Sequence, residues 1–307
     1  MPISTPFEIN SESDEINLTA DLLRWQDTIP LGNICDVSQG VVEAPDKVSR
    51  KQLLVSGRTD VAAGDGVFVL NKSEYRGMHF NEFEKGLIEP YLDPSDVERY
   101  FIKQNVSKFL IYSDSEARRF IAEEGNFKRI RSHLDKFKVF ITSSNGPYGL
   151  HRPRVRKFFT RPKILFKNMF IEPSFALDEK KRYVGFSFSC IIRRDMAYYL
   201  EWVLAILNSR LAFYWFNLYG KKRGAGLDIG VDKLRTFPIK KTTARGQEEI
   251  VALVNRIHSI TNNDDYLLDQ VKRAKVKEYE SQIDQMVYEH YGLTPEEIKI
   301  VEQGNQQ

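Results

Sequence analysis

Two kinds of apolar patterning follow one another along this chain and limit its fold. From Ile29 to about Arg194, short apolar runs alternate with turn signals, as in IPLGNICDVSQGVV and GDGVFVL. From Met196 onward, most apolar residues recur at helical spacing. Short strands followed by longer helices favour a layer of helices packed on a sheet. The sequence therefore predicts an α+β fold with a mixed β-sheet, flanking helices and a C-terminal helical hairpin.

Composition and periodicity divide the chain into four segments. Polar and acidic residues dominate the first segment, which is typical of a disordered leader. Inside the second, helical spacing also recurs over residues 115–140 and 196–218. Gly292 and Thr294 predict the end of one late helix and the start of a short last one. The predicted segments are a leader over 1–25, a mixed-sheet domain over 26–243, a helical hairpin over 244–302 that docks on a catalytic or recognition domain, and a tail over 303–307.

Composition also excludes several classes of function. The 45 basic and 42 acidic residues nearly cancel, so a net charge of +3 gives no general attraction for nucleic acid. Cys35 and Cys190 are the only cysteines and form no CxxC pair, which argues against a disulfide framework or a thiolate zinc site. The most apolar run, residues 202–215, is interrupted by polar residues and is too short to span a membrane. We expect a cytoplasmic protein with no membrane partner.

One segment concentrates positive charge in this nearly neutral chain. HRPRVRKFFTRPKILFK, residues 151–167, interleaves Arg and Lys with aromatics and contains no acidic residue. The preceding SSNGPYGL disfavours regular structure and predicts a loop. Clustered basic residues are the electrostatic signature of nucleic-acid binding, and Arg and Asn side chains pair well with base edges. The candidates for base contacts are Asn145, Tyr148, His151, Arg152 and Arg154. The candidates for phosphate contacts are Lys157, Arg161 and Lys163, together with Lys221, Lys222 and Arg223 from a later basic loop that we expect to be flexible.

A second interpretation of the same charges stays open. Basic residues that alternate along a half-buried strand can simply face water, and Arg156 and Lys163 fit that pattern. For a single residue the two interpretations are evenly matched, whereas the clustering favours DNA.

Motifs for catalysis are missing from the sequence. It contains no GxxxxGK[ST] phosphate loop, no HExxH helix and no GxSxG elbow, and its five histidines are scattered. The run from Asn145 to Tyr148, NGPY, approaches the Asn/Asp-Pro-Pro-Tyr/Phe loop with which adenine methyltransferases hold a flipped base. Its second position is glycine, however, and no glycine-rich cofactor loop precedes it. We therefore predict no catalytic residue, no metal site and no cofactor in this chain.

The order of the segments resembles the TaqI-type C-terminal specificity domain of type IIG and related type II restriction-modification adenine methyltransferases. The resemblance covers residues 29–302 and is carried, in order, by IPLGNICDVSQGVV, GDGVFVL, LIEPYLDPSDVERY, FFTRPKILF, LAILNSRLAFYWF, LDIGVDKLRTFPI and IDQMVYEHYGLTPEEIKIVE. It implies that residues 26–243 form a DNA target-recognition domain. It also implies that methyltransferase motifs lie outside this chain, which is then a separate specificity module or a piece of a larger enzyme.

The function that the resemblance implies is sequence-specific binding of double-stranded DNA. In this function the chain directs an associated methyltransferase or endonuclease to its target, and S-adenosylmethionine and Mg²⁺ belong to that catalytic partner. One alternative is a protein-interaction adaptor that docks through the 244–302 helices without specific DNA contacts. Another is a methyltransferase in its own right, which the missing cofactor loop disfavours.

Overall fold

The structure, a computed structural model, describes residues 26–305 and places fifteen short strands in that part of the chain. The predicted leader and the last two residues of the predicted tail lie outside it. The strands are β1 Thr28–Pro30, β2 Cys35–Gln39, β3 Val69–Asn71, β4 Ile88–Leu92, β5 Val97–Glu98, β6 Phe101–Ile102, β7 Lys108–Ile111, β8 Lys163–Lys167, β9 Met169–Phe170, β10 Phe175–Asp178, β11 Tyr183–Val184, β12 Phe188–Arg193, β13 Lys221–Arg223, β14 Gly226–Asp228 and β15 Pro238–Lys240.

The helices of the same residues are short in the first half of the chain and longer towards its end. They are α1 Leu31–Ile34, α2 Arg50–Ser56, α3 Lys72–Gly77, α4 Glu82–Lys85, α5 Ala117–Ala122, α6 Lys128–Phe137, α7 Lys157–Thr160, α8 Leu200–Asn208, α9 Arg210–Tyr219, α10 Val231–Arg235, α11 Ala244–Thr261, α12 Gln270–Tyr291 and α13 Pro295–Gly304. Single 3₁₀ turns occupy Pro94–Asp96, Gly125–Phe127, Lys138–Phe140 and Tyr266–Leu268.

A four-stranded antiparallel sheet, which we call the central sheet, separates two hydrophobic cores. Its strand order is β10–β8–β12–β2. Because side chains alternate along a strand, Ile164 and Ile191 face the first core, whereas Leu165 and Cys190 face the second. Burial on both faces explains why each of these strands contains consecutive apolar residues, ILF in β8 and CII in β12.

The second core lies between the central sheet and a smaller mixed sheet with the order β11–β4–β7–β3. In this sheet β11 runs parallel to β4, and the other pairs are antiparallel. Helix α6 closes the core with Ile130, Leu134 and Phe137, which recur one turn apart on one buried face. The mixed sheet and the helices around it confirm the predicted α+β class.

The first core is covered by the C-terminal helices. Ile250, Val254 and Ile257 of α11 and Ile283 and Val287 of α12 are buried in it beside the central sheet. The predicted hairpin therefore packs on the sheet domain, and the predicted domain boundary between residues 243 and 244 stays a prediction. Helix α13 ends at Gly304 and so takes up part of the predicted tail.

Two helix boundaries differ in how well the sequence predicted them. The predicted helix over 196–218 is wrong as a single element, because α8 and α9 are separated at Ser209, whose hydroxyl accepts a hydrogen bond from the amide of Ala212. Gly292, in contrast, ends α12 in the left-handed conformation (φ 69°), as predicted.

Candidate nucleic-acid interface

The predicted base-contact loop, residues 143–154, is held in shape by Asn145. Its Nδ2 donates to the carbonyls of Leu150 (2.7 Å) and His151 (3.1 Å), and its Oδ1 accepts from Nη1 of Arg118 (3.0 Å). The side-chain NH₂ group and the side-chain oxygen of Asn145 are therefore both hydrogen-bonded within the protein. In this conformation Asn145 positions the loop, and its side chain is not free for a base edge.

Tyr148 and His151 also contact neighbouring residues. The Tyr148 hydroxyl donates to Oδ1 of Asp135 (2.6 Å), and this hydrogen bond raises the pKa of the phenol. His151 Nδ1 accepts from the Ser144 amide (3.3 Å), so the neutral ring carries its proton on Nε2. That Nε2 is a hydrogen-bond donor with no partner among the described residues.

Arg152 and Arg154 differ in how much of each side chain is free. The backbone of Arg152 pairs with Val42, while its side chain is exposed and has no partner within residues 26–305. Arg154 takes a left-handed backbone (φ 60°) and donates to Oε1 of Gln39 (3.0 Å) and to the carbonyl of Gly40 (3.3 Å). Burial, and then the nearby charge of Arg152, lower the pKa of Arg154. The free guanidinium of this loop is therefore that of Arg152.

The predicted phosphate contacts that follow the loop are of three kinds. Lys157 forms an ion pair with Asp36, with Nζ 2.8 Å from Oδ2, and Asp36 also pairs with Arg194 (3.3 Å). Arg161 is exposed and has no ion-pair partner among the described residues. Lys163 corrects the sequence-based prediction, because it is fully buried, with Nζ 2.9 Å from Oδ2 of Asp178. A buried amine that is already paired cannot reach a phosphate, so Lys163 is a core residue.

The second basic segment is a β-hairpin, although the sequence predicted a flexible loop. Strands β13 and β14 pair antiparallel, and β14 also pairs with β9. Lys221, Lys222 and Arg223 are all exposed, and Arg223 forms an ion pair with Asp228 at 2.7 Å. Within the described part of the chain, Lys221 and Lys222 have no ion-pair partner. The hairpin therefore presents two unpaired ammonium groups.

Hydrogen bonds connect the loop and the hairpin through one end of the central sheet. Gln39, which accepts from Arg154, donates from Nε2 to the carbonyl of Phe186 (3.0 Å). Asn168 donates to the same carbonyl (2.8 Å), and its own carbonyl accepts from the amide of Ile229, directly after β14. We call this region the sheet-end surface. It consists of Gln39, Arg152, Arg154, Asn168, Met169, Phe186, Lys221 and Lys222.

The sequence alone singled out neither Gln39 nor Asn168. The sole signal for Gln39 is its place in IPLGNICDVSQGVV, and Asn168 stands between two strand patterns without a motif of its own. Both become visible only when the strands are brought side by side.

A cleft of about 560 Å³ opens beside the loop. Arg154 and Arg156 line it together with Asp114 and Glu116, so it offers both hydrogen-bond donors and acceptors. Within residues 26–305 no group of three His, Cys, Asp or Glu side chains is placed to hold a metal ion. No helix in that part of the chain is long and apolar enough to cross a membrane.

Comparison with known proteins gives one match to a family model and one solved structure with a shared fold. Residues 89–239 match the family model of the TaqI-like C-terminal specificity domain. No curated protein matches the chain. Among solved structures, the type IIL restriction-modification enzyme MmeI, in complex with DNA, aligns with a TM-score of 0.63 and 12% identity over 90% of this chain and 36% of that one. This chain thus spans about a third of the length of MmeI, and the similarity shows a shared fold.

Two further solved structures align less closely. The type IIG restriction endonuclease BpuSI gives a TM-score of 0.48 and 9% identity over 92% of this chain and 34% of that one. The HsdS subunit from Thermoanaerobacter tengcongensis gives 0.38 and 10%, over 92% and 52% of the two chains.

Proposed function

We propose that this chain recognises a DNA target, because residues 89–239 match the family model of the TaqI-like C-terminal specificity domain. More specifically, it binds duplex DNA with sequence preference and directs an associated methyltransferase or endonuclease to the site. The similarity of its fold to MmeI, whose structure contains DNA, supports this proposal.

The observation that carries the proposal is the arrangement of free charge on the sheet-end surface. Among residues 26–305, the side chain of Arg152 has no partner and lies on a loop fixed by side-chain hydrogen bonds, and Lys221 and Lys222 have no ion-pair partner on a hairpin at the same end of the sheet. Lys side chains that neutralise phosphates supply affinity without sequence preference. An Arg held in a fixed position can donate two hydrogen bonds to one guanine, which supplies preference. The surface thus combines both requirements of a specific DNA-binding protein.

The catalytic step belongs to a partner in this proposal. The chain selects the site, and the methyltransferase or endonuclease subunit or domain binds S-adenosylmethionine and Mg²⁺. Both cysteines are free and buried, which suits the reducing cytoplasm as its compartment.

A gel-shift titration with the full chain tests the proposal. Duplexes selected from a random pool are compared with the unselected pool at two salt concentrations. We expect the selected duplexes to bind at least about 1000-fold more tightly, the lower end of typical specific recognition. Equal affinity for both sets at both salt concentrations would contradict sequence-specific recognition.

One observation favours protein docking as a second role. Leu268, in the turn between α11 and α12, and Val271, in the first turn of α12, are 88% and 79% exposed, and Leu267 is partly exposed. Exposed apolar side chains that are adjacent in space are typical of protein interfaces. If they contact the catalytic partner, the L268A/V271A variant retains DNA affinity and loses the partner in a pull-down with the purified methyltransferase. An adaptor without DNA recognition would lose the partner in the same way but would show no preference for any duplex.

A further inference from the structure

The sheet-end surface contains an aromatic side chain that the recognition motifs of the sequence do not single out. We propose that Phe186 contacts bases directly, as an apolar wedge between the two basic segments. This inference rests on the proposed function, because it assigns a role within the same DNA interface. It names one residue and the apolar chemistry that it adds to the charges already described.

Phe186 is exposed to an unusual degree for its size. Phe186 is 58% exposed, and Met169 in the short strand β9 and Ile171 directly after it are 51% and 70% exposed. A single exposed apolar residue is ordinary on a protein surface, but a group of three large ones leaves apolar area in water that folding normally buries. Met169 directly follows Asn168, whose side chain donates to the carbonyl of Phe186 (2.8 Å). The group is therefore expected to be covered by a ligand.

The turn that carries Phe186 is fixed from several sides. The amide of Phe188 donates to the carbonyl of Gly185 (3.0 Å) and closes the turn. The carbonyl of Phe186 itself accepts from the side-chain amides of both Gln39 and Asn168. A side chain held on such a turn loses little conformational freedom when it inserts into a groove.

Close packing beneath the turn adds to this rigidity. A Cβ atom at Gly185 would overlap the hydroxyl of Tyr91, which donates to the buried carboxyl of Glu43 (2.9 Å). A Cβ atom at Gly40 would overlap the carbonyl of Gly185. Only glycine fits at these two positions, and its small size lets the turn pack closely against the end of β2.

The charges around Phe186 favour duplex DNA as the ligand over an apolar protein surface. The free side chain of Arg152 and the partly engaged one of Arg154 lie on one side, and Lys221 and Lys222 lie on the other. Lys221 of β13 is in register with Asp228 of β14, and Asp228 is in register with Met169 of β9. The positive charges of the loop and of the hairpin lie on either side of this apolar group. This arrangement is complementary to a DNA groove, which has a phosphate backbone on either side. Aromatic and aliphatic wedges contact thymine methyl groups or partly unstack a base step.

The test compares Phe186→Ala with Phe83→Ala in the full chain. Phe83 is also an exposed phenylalanine (61%), but it lies on α4 beside the 3₁₀ turn Gly125–Phe127 and away from the sheet-end surface. We expect F186A to bind the duplex selected by the wild type about tenfold more weakly, the loss of one good apolar base contact. Its salt dependence stays unchanged because no charge is removed. F83A binds as the wild type does.

A fluorescent base locates the contact. With 2-aminopurine placed at each step of the selected duplex in turn, wild-type protein raises the fluorescence at one step, and F186A does not. The F186L variant keeps an apolar side chain and guards against a folding defect in F186A, and it is expected to retain most of the affinity. If F186A and F186L both keep wild-type affinity and the same fluorescence profile, the inference is overturned while DNA recognition stands. If the wild-type chain prefers no duplex, both fail.

Discussion

The loop over residues 143–154 and the β13–β14 hairpin both carry positive charge, but they are built in opposite ways. The loop is fixed by side-chain hydrogen bonds from Asn145, Arg154 and Tyr148, and most of its polar groups are engaged within the protein. The hairpin is held by backbone pairing, and its basic side chains extend into solvent. A guanidinium on a backbone of fixed position can be directed at one base, whereas exposed ammonium groups can follow any phosphate backbone. We therefore propose that the loop supplies sequence preference and the hairpin supplies general affinity.

The largest effect is expected from releasing the loop. Replacing Asn145 with Ala removes the donors to Leu150 and His151, so the loop no longer has one conformation. We expect the ratio of affinities for selected and random duplexes to fall from about 1000 or more towards 1. Competition gel shifts measure this ratio. The control is Asn105→Ala, which also removes a side-chain hydrogen bond from a loop, to Asp264 at 2.7 Å, away from the sheet-end surface. Equal loss in both variants would refute the special role of this loop.

A smaller effect is expected from the free guanidinium. Arg152→Ala should relax preference at one base pair and cost about 1–3 kcal/mol of binding free energy for the selected duplex. Arg152→Lys keeps the charge but not the two-pronged geometry, so it should restore general affinity and not the preference. Selection followed by sequencing with each variant shows which base pair is affected. Recovery of full preference by Lys would show that Arg152 contributes charge alone.

The hairpin should affect all duplexes alike. The Lys221→Ala/Lys222→Ala variant removes two phosphate contacts, so the slope of log affinity against log salt should fall by about 2, with the preferred sequence unchanged. Lys272→Ala/Lys275→Ala changes the net charge equally, but these lysines pair with acidic residues around α12. That control should leave the slope unchanged. A change of preferred sequence in the hairpin variant would contradict the division between the two regions.

Glu43, which contacts the loop through its backbone, is expected to make the free energy of unfolding depend on pH. Burial raises its pKa from 4.5 to about 7, and its backbone carbonyl accepts from the amide of His151. Because the folded state holds this proton more tightly than the unfolded state, the stabilisation is full below pH 4.5 and is lost as pH rises through about 7. Glu43→Gln should therefore remove a decline of about 3 kcal/mol in unfolding free energy. Urea unfolding between pH 5 and pH 8 measures both proteins. Parallel curves would show that Glu43 does not carry the dependence.

The last prediction is that S-adenosylmethionine does not bind to this chain. S-adenosylmethionine titrated into the full chain in a calorimeter should give no heat beyond dilution, because the NGPY run that starts at Asn145 is occupied with loop contacts and lacks a cofactor loop. A saturable heat would favour a methyltransferase function of the chain itself.

The sequence predicts the elements of this molecule better than its contacts. Strands β8 and β12 and helix α12 follow from local patterning, since short apolar runs and helical spacing reflect which positions are buried. Lys163 could not be recognised as buried, because its partner Asp178 reaches it only when β10 pairs with β8. The hairpin was likewise hidden, because β14 is completed by pairing with β9, more than fifty residues earlier in the chain. The inward direction of the Asn145 side chain depends on Arg118, which comes from helix α5.

The division between loop and hairpin can be tested in a single selection. The wild-type chain, N145A and the K221A/K222A variant are each given the same random duplex pool at the same salt concentration, and the retained DNA is sequenced. We predict that the wild type and the hairpin variant enrich one common motif, the latter with less total DNA bound, and that N145A enriches none. Loss of the motif in the hairpin variant together with its retention in N145A would contradict the account.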